Sequence, residues 1–343
     1  MADTSDHRSI DPDQGGNAFT ARTAPARTWL TWTGRTVSVA AVAVVLWACL
    51  TAWGAIVHGH PAYAILLGLT VMGAAWALWR SFAARTRASG WRLVLRIVLL
   101  VVAVAWVGAM WWLRPFTAQE PALSALESDA TVTVSESATQ IVLTPNAVPR
   151  STGVFFQPGA LVEARAYAAI LRPLAESGYT VVIPKQPLGI AFLALPAFDS
   201  ARPRYPDIDR WVLGGHSLGG VVAAIEADDN DADGAESDGA PAVGLMFFAS
   251  YPAGNISESL TASVESISGT EDGLSTPAKI DASRANLPAD STFTQIEGAS
   301  HSQFADYGPQ PGDGTPTISH DEARTRISDE ALRFLASLEP GQN

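Results

Sequence analysis

The sequence predicts a chain of two parts: three transmembrane helices, followed by an α/β domain whose mostly parallel sheet is flanked by helices. Two observations predict this class. The N-terminal third contains three long apolar runs without a charged side chain, whereas short apolar strands alternate with helical stretches in the remainder. Such alternation is typical of a parallel sheet covered on both faces. A glycine turn that carries one serine joins a strand to a helix, which agrees with the same architecture.

The three uncharged runs, which are candidates for membrane spans, are residues 37–57, 62–79 and 97–113. Each approaches the ~20 apolar residues that are needed to cross a bilayer. Tryptophans lie near the ends of several runs, as interfacial aromatic side chains do. A soluble bundle would need polar helix faces, which these runs lack. A polar stretch precedes the first run and further runs follow it, a pattern that favours membrane helices over a cleaved signal peptide.

The placement of arginine predicts the orientation of the chain. Residues 80–96, between the second and third runs, carry five arginines and no acidic residue, whereas residues 58–61 carry no lysine or arginine. The positive-inside rule therefore places the arginine loop in the cytoplasm, together with residues 1–36, which we expect to form a disordered tail. The three spans at residues 37–113 then put the C-terminal domain on the extracytoplasmic side of the cell membrane.

The two parts of the chain also differ in charge. Residues 1–116 carry 10 basic and 4 acidic side chains, whereas residues 117–343 carry 12 and 30. An acidic domain argues against nucleic-acid binding and against tight binding to anionic lipid. The single cysteine, Cys49, lies in the first run, so the domain depends on its core rather than on a disulfide.

The C-terminal part begins with a predicted tether at residues 114–130 and continues as the α/β domain at residues 131–339. Its first two strands are expected to pair antiparallel. A helix at residues 163–177 follows the third strand, with Pro173 bending it and Gly178 ending it. The predicted strands, in chain order, are residues 131–134, 140–143, 154–156, 179–183, 211–213, 244–249, 264–269 and 292–296, and the closing helix is residues 321–338.

The glycine turn at residues 214–220 is the strongest indication of chemistry. It follows a buried strand and precedes a helix, and it contains the pattern G-x-S-x-G with Ser217 at its centre. At a junction of this type the serine occupies a strained backbone conformation that exposes its hydroxyl, and side chains at Gly215 and Gly219 would clash. The alternative, a glycine-rich turn that happens to hold a serine, is less favoured because of the flanking strand and helix.

A nucleophilic serine needs a base and an acid that orients this base. Asp272 follows one later strand and His301 follows the next, so both are expected at the same sheet edge as Ser217. The chain order Ser, Asp, His is the one used in α/β-hydrolases. Three rival candidates are better explained otherwise: Glu271 as a loop charge, Asp306 as a turn residue and His216 as a packing histidine. His320, in a polar loop before the last helix, is a second and less favoured candidate for the base.

These segments resemble the α/β-hydrolase superfamily, and more narrowly its small dienelactone-hydrolase-like serine members, over residues 151–335. The resemblance rests on residues 155–160, 181–185, 215–219, 269–273 and 296–304. It implies an α/β-hydrolase fold and an oxyanion hole made by the N–H of Leu218 and one N–H from an early loop. Ala160 is the expected second donor, with Gly159 and Gln157 as alternatives. True dienelactone hydrolases use cysteine, so the serine favours general ester chemistry.

Two further features are open to two interpretations. Phe192 and Leu193 are expected either to line a substrate pocket or to pack in the core. The acidic loop at residues 228–238 matches the first half of a calcium loop, but position twelve is Ala240 rather than glutamate, which favours a solvated loop. We therefore expect neither a metal nor another cofactor.

The sequence thus predicts a membrane-anchored serine hydrolase that acts on a small-molecule carboxylic ester or related acyl bond. Two alternatives stay open: an acyltransferase that uses the same residues, and a non-catalytic interaction module on the same fold.

Overall fold

The computed structural model describes residues 28–83, 90–232 and 239–339. The N-terminal part forms four helices: α1 (Thr28–Thr51), α2 (Trp53–His58), α3 (Pro61–Ala83) and α4 (Trp91–Trp112). Three of them, α1, α3 and α4, are long and apolar enough to cross a membrane, which confirms the predicted apolar helices. The first helix starts earlier than the predicted run and breaks at Ala52, after which α2 continues. Most of the predicted tail, residues 1–27, lies outside the described residues.

The helices expose many large apolar side chains, as lipid-facing helices do. Helix α1 packs against both α3 and α4. At one end, Arg35 of α1 donates to Ser81 Oγ at 3.0 Å and lies over the ring of Phe82. Trp106 Nε1 donates to Thr70 Oγ1 at 2.9 Å between α4 and α3. Among the described residues, few polar contacts are therefore made between the apolar surfaces of these helices.

The C-terminal part is built on one eight-stranded sheet with the order β1-β2-β4-β3-β5-β6-β7-β8. Strands β1 and β2 pair antiparallel, as predicted, and β2 also runs antiparallel to β4, whereas all other pairs are parallel. The strands are β1 (Val132–Glu136), β2 (Gln140–Pro145), β3 (Thr152–Gln157), β4 (Thr180–Pro184), β5 (Arg210–His216), β6 (Ala242–Phe248), β7 (Ser263–Gly269) and β8 (Thr292–Ile296).

Successive strand residues point to opposite faces of the sheet, and helices cover both faces. Phe156 packs in one core with side chains of α5 (Ala168–Glu176) and α9 (His320–Ser337). Its neighbour Phe155 packs in the other with α6 (Ala197–Ala201) and α7 (Leu218–Asp229). A further short helix, α8 (Pro277–Ser283), lies beyond β7. The predicted α/β class, with helices on both sides of a mostly parallel sheet, is confirmed.

The segment that follows α4 lies against the α/β domain. Phe116 forms a bridge with Val162, and the N–H of Ala118 donates to Glu163 Oε2 at 2.9 Å. Leu161, from the loop after β3, shares an apolar cluster with Tyr63 of α3 and with Leu113, which follows α4. Part of the predicted tether is therefore packed, and the ends of the long helices rest on the loop after β3.

Candidate active site

Ser217 lies at the turn between β5 and α7, in a backbone conformation that favours glycine. Its φ is 52° and its ψ is −122°, an uncommon and costly combination for a residue with a side chain. The turn is held by the N–H of Ser217, which donates to Phe248 O at 3.1 Å, and by Ser250 Oγ, which donates to Ser217 O at 2.6 Å. The strain is therefore compensated by hydrogen bonds to the end of β6 and to Ser250, two residues beyond it.

The two glycines that flank the serine are required by close backbone contacts. A Cβ on Gly215 would overlap the backbone of Gly219. A Cβ on Gly219 would overlap the carbonyl oxygens of Gln157 and Pro158, in the loop after β3. This contact brings the loop after β3 directly onto the start of α7.

His301 and Asp272 are joined by a buried hydrogen bond. The Nδ1 atom of His301 lies 2.8 Å from Asp272 Oδ2, and both side chains are fully buried. The other oxygen, Asp272 Oδ1, accepts the N–H groups of Leu274 and Ser275 at 2.8 and 2.7 Å. Because the carboxylate acts as an acceptor throughout, Nδ1 is assigned the proton and Nε2 keeps a lone pair.

The Nε2 atom of His301 is buried and has no hydrogen-bond partner within the described part of the chain. No hydrogen bond to Ser217 is therefore formed, although the His301 ring lies 4.6 Å from that of the adjacent His216. Strands β5, β7 and β8 are parallel, so the residues that follow them meet at one edge of the sheet. Hydrogen bonds between a base and its nucleophile are often long before substrate binds.

The backbone N–H groups near Ser217 divide into occupied and free ones. The N–H of Gly159 donates to the hydroxyl of Tyr167 at 2.8 Å. In contrast, the N–H groups of Ala160 and Leu218 donate to no atom of residues 28–83, 90–232 and 239–339. Of the alternatives for a second oxyanion donor, Ala160 is therefore available and Gly159 is not.

His216 belongs to a network that holds the loop after β3. Tyr167, which accepts from Gly159, lies with its hydroxyl 2.8 Å from His216 Nδ1. Burial, together with the positive charge that His301 acquires on protonation, holds the pKa of His216 well below its ordinary value. The ring also stacks on Phe304, with centroids 6.1 Å apart. The residue before Ser217 in the glycine turn is thus a neutral, packed imidazole.

Asp313 was not predicted from the sequence, and it connects the loop that carries Asp272 with the loop that carries His301. Its carboxylate accepts the N–H groups of His301 and Ser302 at 3.0 and 2.8 Å, and that of Gly273 at 3.3 Å. Burial alone would raise the pKa of Asp313, but these hydrogen bonds outweigh burial and lower it. The glycines on either side of Asp313 are the only local signal, and they resemble an ordinary turn.

A second missed group, Glu226 on α7, lies behind the loop after β3. Gln157 Nε2 donates to both carboxylate oxygens of Glu226, at 2.9 and 3.1 Å. Gln186 Nε2 donates in turn to Gln157 Oε1 and to Pro158 O, both at 2.9 Å. Burial raises the pKa of Glu226 to about 8. The neutral acid therefore supports the loop that presents Ala160.

Apart from His216, the rival acids and bases are not part of this arrangement. Asp306 Oδ1 accepts from Arg324 at 2.9 Å and lies 3.0 Å from His320 Nε2, rather than contacting His301. Glu271 is exposed. Asp231, in the acidic loop, accepts the N–H and hydroxyl of Thr261, while residues 233–238 of the calcium candidate lie outside the described chain. No group of three metal-ligating side chains occurs among the residues that were located.

The two candidate pocket residues are on the surface. Phe192 is 44% exposed and Leu193 is 53% exposed, in the turn Ala191–Ala194. This turn packs on α7, the helix that follows Ser217. Phe198, in the same stretch of sequence, is buried against Phe155 and Trp211. The structure thus separates one core residue from two exposed apolar ones.

Comparison with known proteins identifies the family. The model of the alpha/beta hydrolase family matches residues 153–325, which is half of the chain. The chain belongs to the alpha/beta hydrolase family. The resemblance predicted from the sequence is confirmed, and the sheet with its β5–α7 turn is that of this family. A search of curated proteins found no match.

Several solved structures are similar to this hydrolase-family chain. Esterase 2 of the planctomycete Thermogutta terrifontis, with propionate bound, is 16% identical with a TM-score of 0.41, covering 60% of this chain and 93% of that one. The same esterase phosphorylated by paraoxon is 18% identical with a TM-score of 0.42, covering 61% and 94%. A protein designated a dienelactone hydrolase from Klebsiella pneumoniae subsp. pneumoniae is 16% identical with a TM-score of 0.45, covering 60% and 98%.

Proposed function

We propose that this family member is a membrane-anchored serine hydrolase that cleaves a carboxylic ester or related acyl bond. The observation that carries the proposal is the buried 2.8 Å hydrogen bond between His301 and Asp272, which leaves His301 Nε2 at the sheet edge without a partner among the described residues. A histidine oriented in this way can act as a general base, because its Nε2 lone pair is free to accept a proton. Ser217, strained at φ 52° on the same edge, supplies that proton.

The reaction follows from the roles of these atoms. Ser217 Oγ attacks the carbonyl carbon of the ester while His301 Nε2 takes the hydroxyl proton, and His301 then returns it to the leaving alcohol. Asp272 holds the imidazole in the required tautomer. The N–H groups of Leu218 and Ala160 stabilise the oxyanion, and water releases the acid from the acyl-enzyme. The substrate is a small molecule, and helices α1, α3 and α4 anchor the enzyme in the bilayer.

Labelling by a fluorophosphonate probe tests the nucleophile. We expect the full-length protein in detergent to be labelled, because such probes react with a serine hydroxyl that a neighbouring base activates. Ser217→Ala should abolish the labelling. The matched control is Ser259→Ala, which removes an exposed serine and should be labelled like the parent. An unlabelled but folded parent, or labelling that survives in Ser217→Ala, would refute the proposal.

Replacement of the acid tests the orienting role of Asp272. In Asp272→Asn the amide oxygen keeps the two backbone N–H groups of Leu274 and Ser275, so the NH2 group faces His301 Nδ1 and favours the wrong tautomer. We therefore expect this variant to lower ester turnover by about 10³–10⁴-fold. Asp306→Asn is the control, because Asp306 contacts Arg324 and His320 instead. Turnover per labelled site should stay within about tenfold of the parent in that variant. Equal losses in the two variants would contradict the assignment of Asp272.

A further inference from the structure

An uncharged apolar segment follows β4 and is exposed. Residues 187–198 contain no charged side chain, and Phe192, Leu193 and Leu195 are 44%, 53% and 38% exposed. Within the located residues of the α/β domain, the only other large hydrophobic side chain of comparable exposure is Val148. Clusters of exposed apolar side chains mark sites that contact another protein, a ligand or a membrane. We call residues 187–198 the apolar segment.

The apolar segment is adjacent to the candidate active site. It leaves β4 at the edge where β3 and β5 also end, since these strands are parallel. Its turn Ala191–Ala194 packs on α7. Its turn Pro187–Gly189 accepts, through Gly189 O, the N–H of Leu161 at 2.7 Å. Leu161 follows Ala160 directly, so the apolar segment touches the loop that carries the candidate oxyanion donor.

The same segment packs on the long apolar helices. The turn Pro187–Gly189 contacts α3, and Leu188 and Ile190 join the apolar cluster that contains Tyr63 and Leu113. A small cavity of about 40 Å³ separates the two parts here, lined by Tyr63 and Leu113 on one side and by Pro158 and Leu188 on the other. The edge of the sheet that carries the site therefore rests on the ends of the helices.

Tryptophans indicate how high the membrane surface reaches. Trp111 and Trp112, at the end of α4, and Trp53, at the start of α2, are 58–62% exposed and lie at this end of the bundle. Exposed tryptophans at helix ends settle at the level of the lipid headgroups. Leu113, which follows Trp112, packs in the cluster with Leu161. The loop after β3 is therefore at the headgroup level.

Chain length places the exposed side chains within the same layer. Phe192 is two residues beyond Ile190, and therefore within about 7 Å of it. The N–H of Leu193 donates to Ile190 O at 3.0 Å, which keeps Leu193 within one turn. The headgroup layer adds roughly 5–8 Å to each side of the hydrocarbon core. Both residues are thus within reach of the headgroup layer.

We propose that the active site takes its substrate from this bilayer: an acyl ester held in the adjacent leaflet reaches Ser217 past Phe192, Leu193 and Leu195. The inference rests on the proposed function and names its substrate class. The ester C–O bond breaks as the Ser217 Oγ–acyl bond forms, and the alcohol leaves with the proton from His301. Water then cleaves the acyl-enzyme to the carboxylic acid. An uncharged surface suits zwitterionic lipid, in keeping with the acidic domain around it.

Fluorescence quenching tests the membrane contact without reference to activity. A polarity-sensitive fluorophore is attached at Leu193→Cys in full-length protein that also carries Cys49→Ala, and the protein is reconstituted in phosphatidylcholine vesicles. We expect lipids with a nitroxide on the headgroup or upper acyl chain to remove most of its fluorescence. Val148→Cys is the matched control, because Val148 is 89% exposed and precedes β3, at the opposite sheet edge. Equal quenching at the two positions, or none at position 193, overturns the proposal.

Presentation of the ester tests the route. A long-chain methylumbelliferyl ester is placed in the vesicles that hold the parent protein, or in separate protein-free vesicles; methylumbelliferyl acetate is the soluble reference. We expect the ester in the protein's own bilayer to react on the order of tenfold faster or more, because tethering raises its effective concentration. Leu193→Asp should lower this rate about tenfold relative to the acetate rate, since a charge opposes membrane contact, whereas Val148→Asp should leave the ratio unchanged.

The outcomes separate the two proposals. In one outcome the acetate is hydrolysed, the long-chain ester reacts at equal rates from the two vesicle populations, and the fluorophore at position 193 is not quenched. This result overturns the membrane route and leaves the hydrolase proposal intact. No reaction of either ester, with Ser217 unlabelled, overturns the hydrolase proposal and the substrate with it, even where residue 193 is quenched.

Discussion

Glu226 is a buried acid that is mostly protonated at neutral pH. It accepts hydrogen bonds from Gln157, whose side chain connects through Gln186 to the carbonyl of Pro158. Its ordinary pKa is 4.5, and burial raises the pKa to about 8 in the folded protein. The same proton that keeps this network neutral makes the stability of the fold depend on pH.

We expect the Glu226→Gln variant to lose stability less than the parent as pH rises from 6 to 8. Between the unfolded pKa of 4.5 and the folded pKa of about 8, the folded state holds a proton that the unfolded state has released. The contribution of Glu226 to the free energy of unfolding is thus fully present below pH 4.5 and declines until the pH passes the folded-state pKa of about 8. Between pH 6 and pH 8 the free energy of unfolding of the parent declines by about 2 kcal/mol from this cause. Glutamine has no proton to lose and does not undergo this decline.

The measurement is the melting temperature of the full-length protein in detergent at pH 6 and at pH 8. Glu258→Gln, at an exposed glutamate, is the matched control and should follow the parent. If parent and Glu226→Gln lose the same amount over this interval, Glu226 is already ionised in the folded protein and the interpretation is wrong.

At the scale of elements, the β5–α7 junction was predictable because its causes are local. A buried strand, glycines at Gly215 and Gly219 and a following helix are all contiguous in sequence. The strand ends before Asp272 and His301 were predictable in the same way, and the structure joins these two side chains at 2.8 Å. Which residues hold the loops could not be predicted, because Tyr167 and His216 are separated by 49 positions and no local pattern connects them.

The helix bounds and the tether illustrate a second limit of local patterns. Helix α1 begins at Thr28, before the uncharged run, because the polar residues at its start find partners: Arg35 contacts Ser81 of α3 and the ring of Trp32. A prediction from hydropathy alone places the end of a span at such an arginine. Residues 114–130 look like a tether by composition, yet Gln119 donates its N–H to Asp306 O at 2.8 Å. Contacts between residues so far apart in the sequence depend on the folded domain and cannot be predicted from the segment alone.

At the scale of the whole molecule, the orientation of the chain determines where any substrate of this enzyme must be. Five arginines between the second and third apolar runs favour the cytoplasmic side for that end of the bundle. Helices α1, α3 and α4 reverse direction twice, so the C-terminal end of α4 and the α/β domain lie at the other end. The strongly acidic balance of residues 117–343 adds no opposing signal, since acidic residues contribute little to orientation.

We expect a membrane-impermeant maleimide to reach the α/β domain in intact cells but not the arginine loop. In a Cys49→Ala background, Val148→Cys reports the domain and Ala83→Cys reports the end of α3; both positions are exposed, and neither substitution changes the charge. Val148→Cys should react before permeabilisation and Ala83→Cys only afterwards. The reverse order would place the domain in the cytoplasm, and the bilayer leaflet that supplies the ester would then be the inner one, because the contact between the apolar segment and the helix ends moves with the domain.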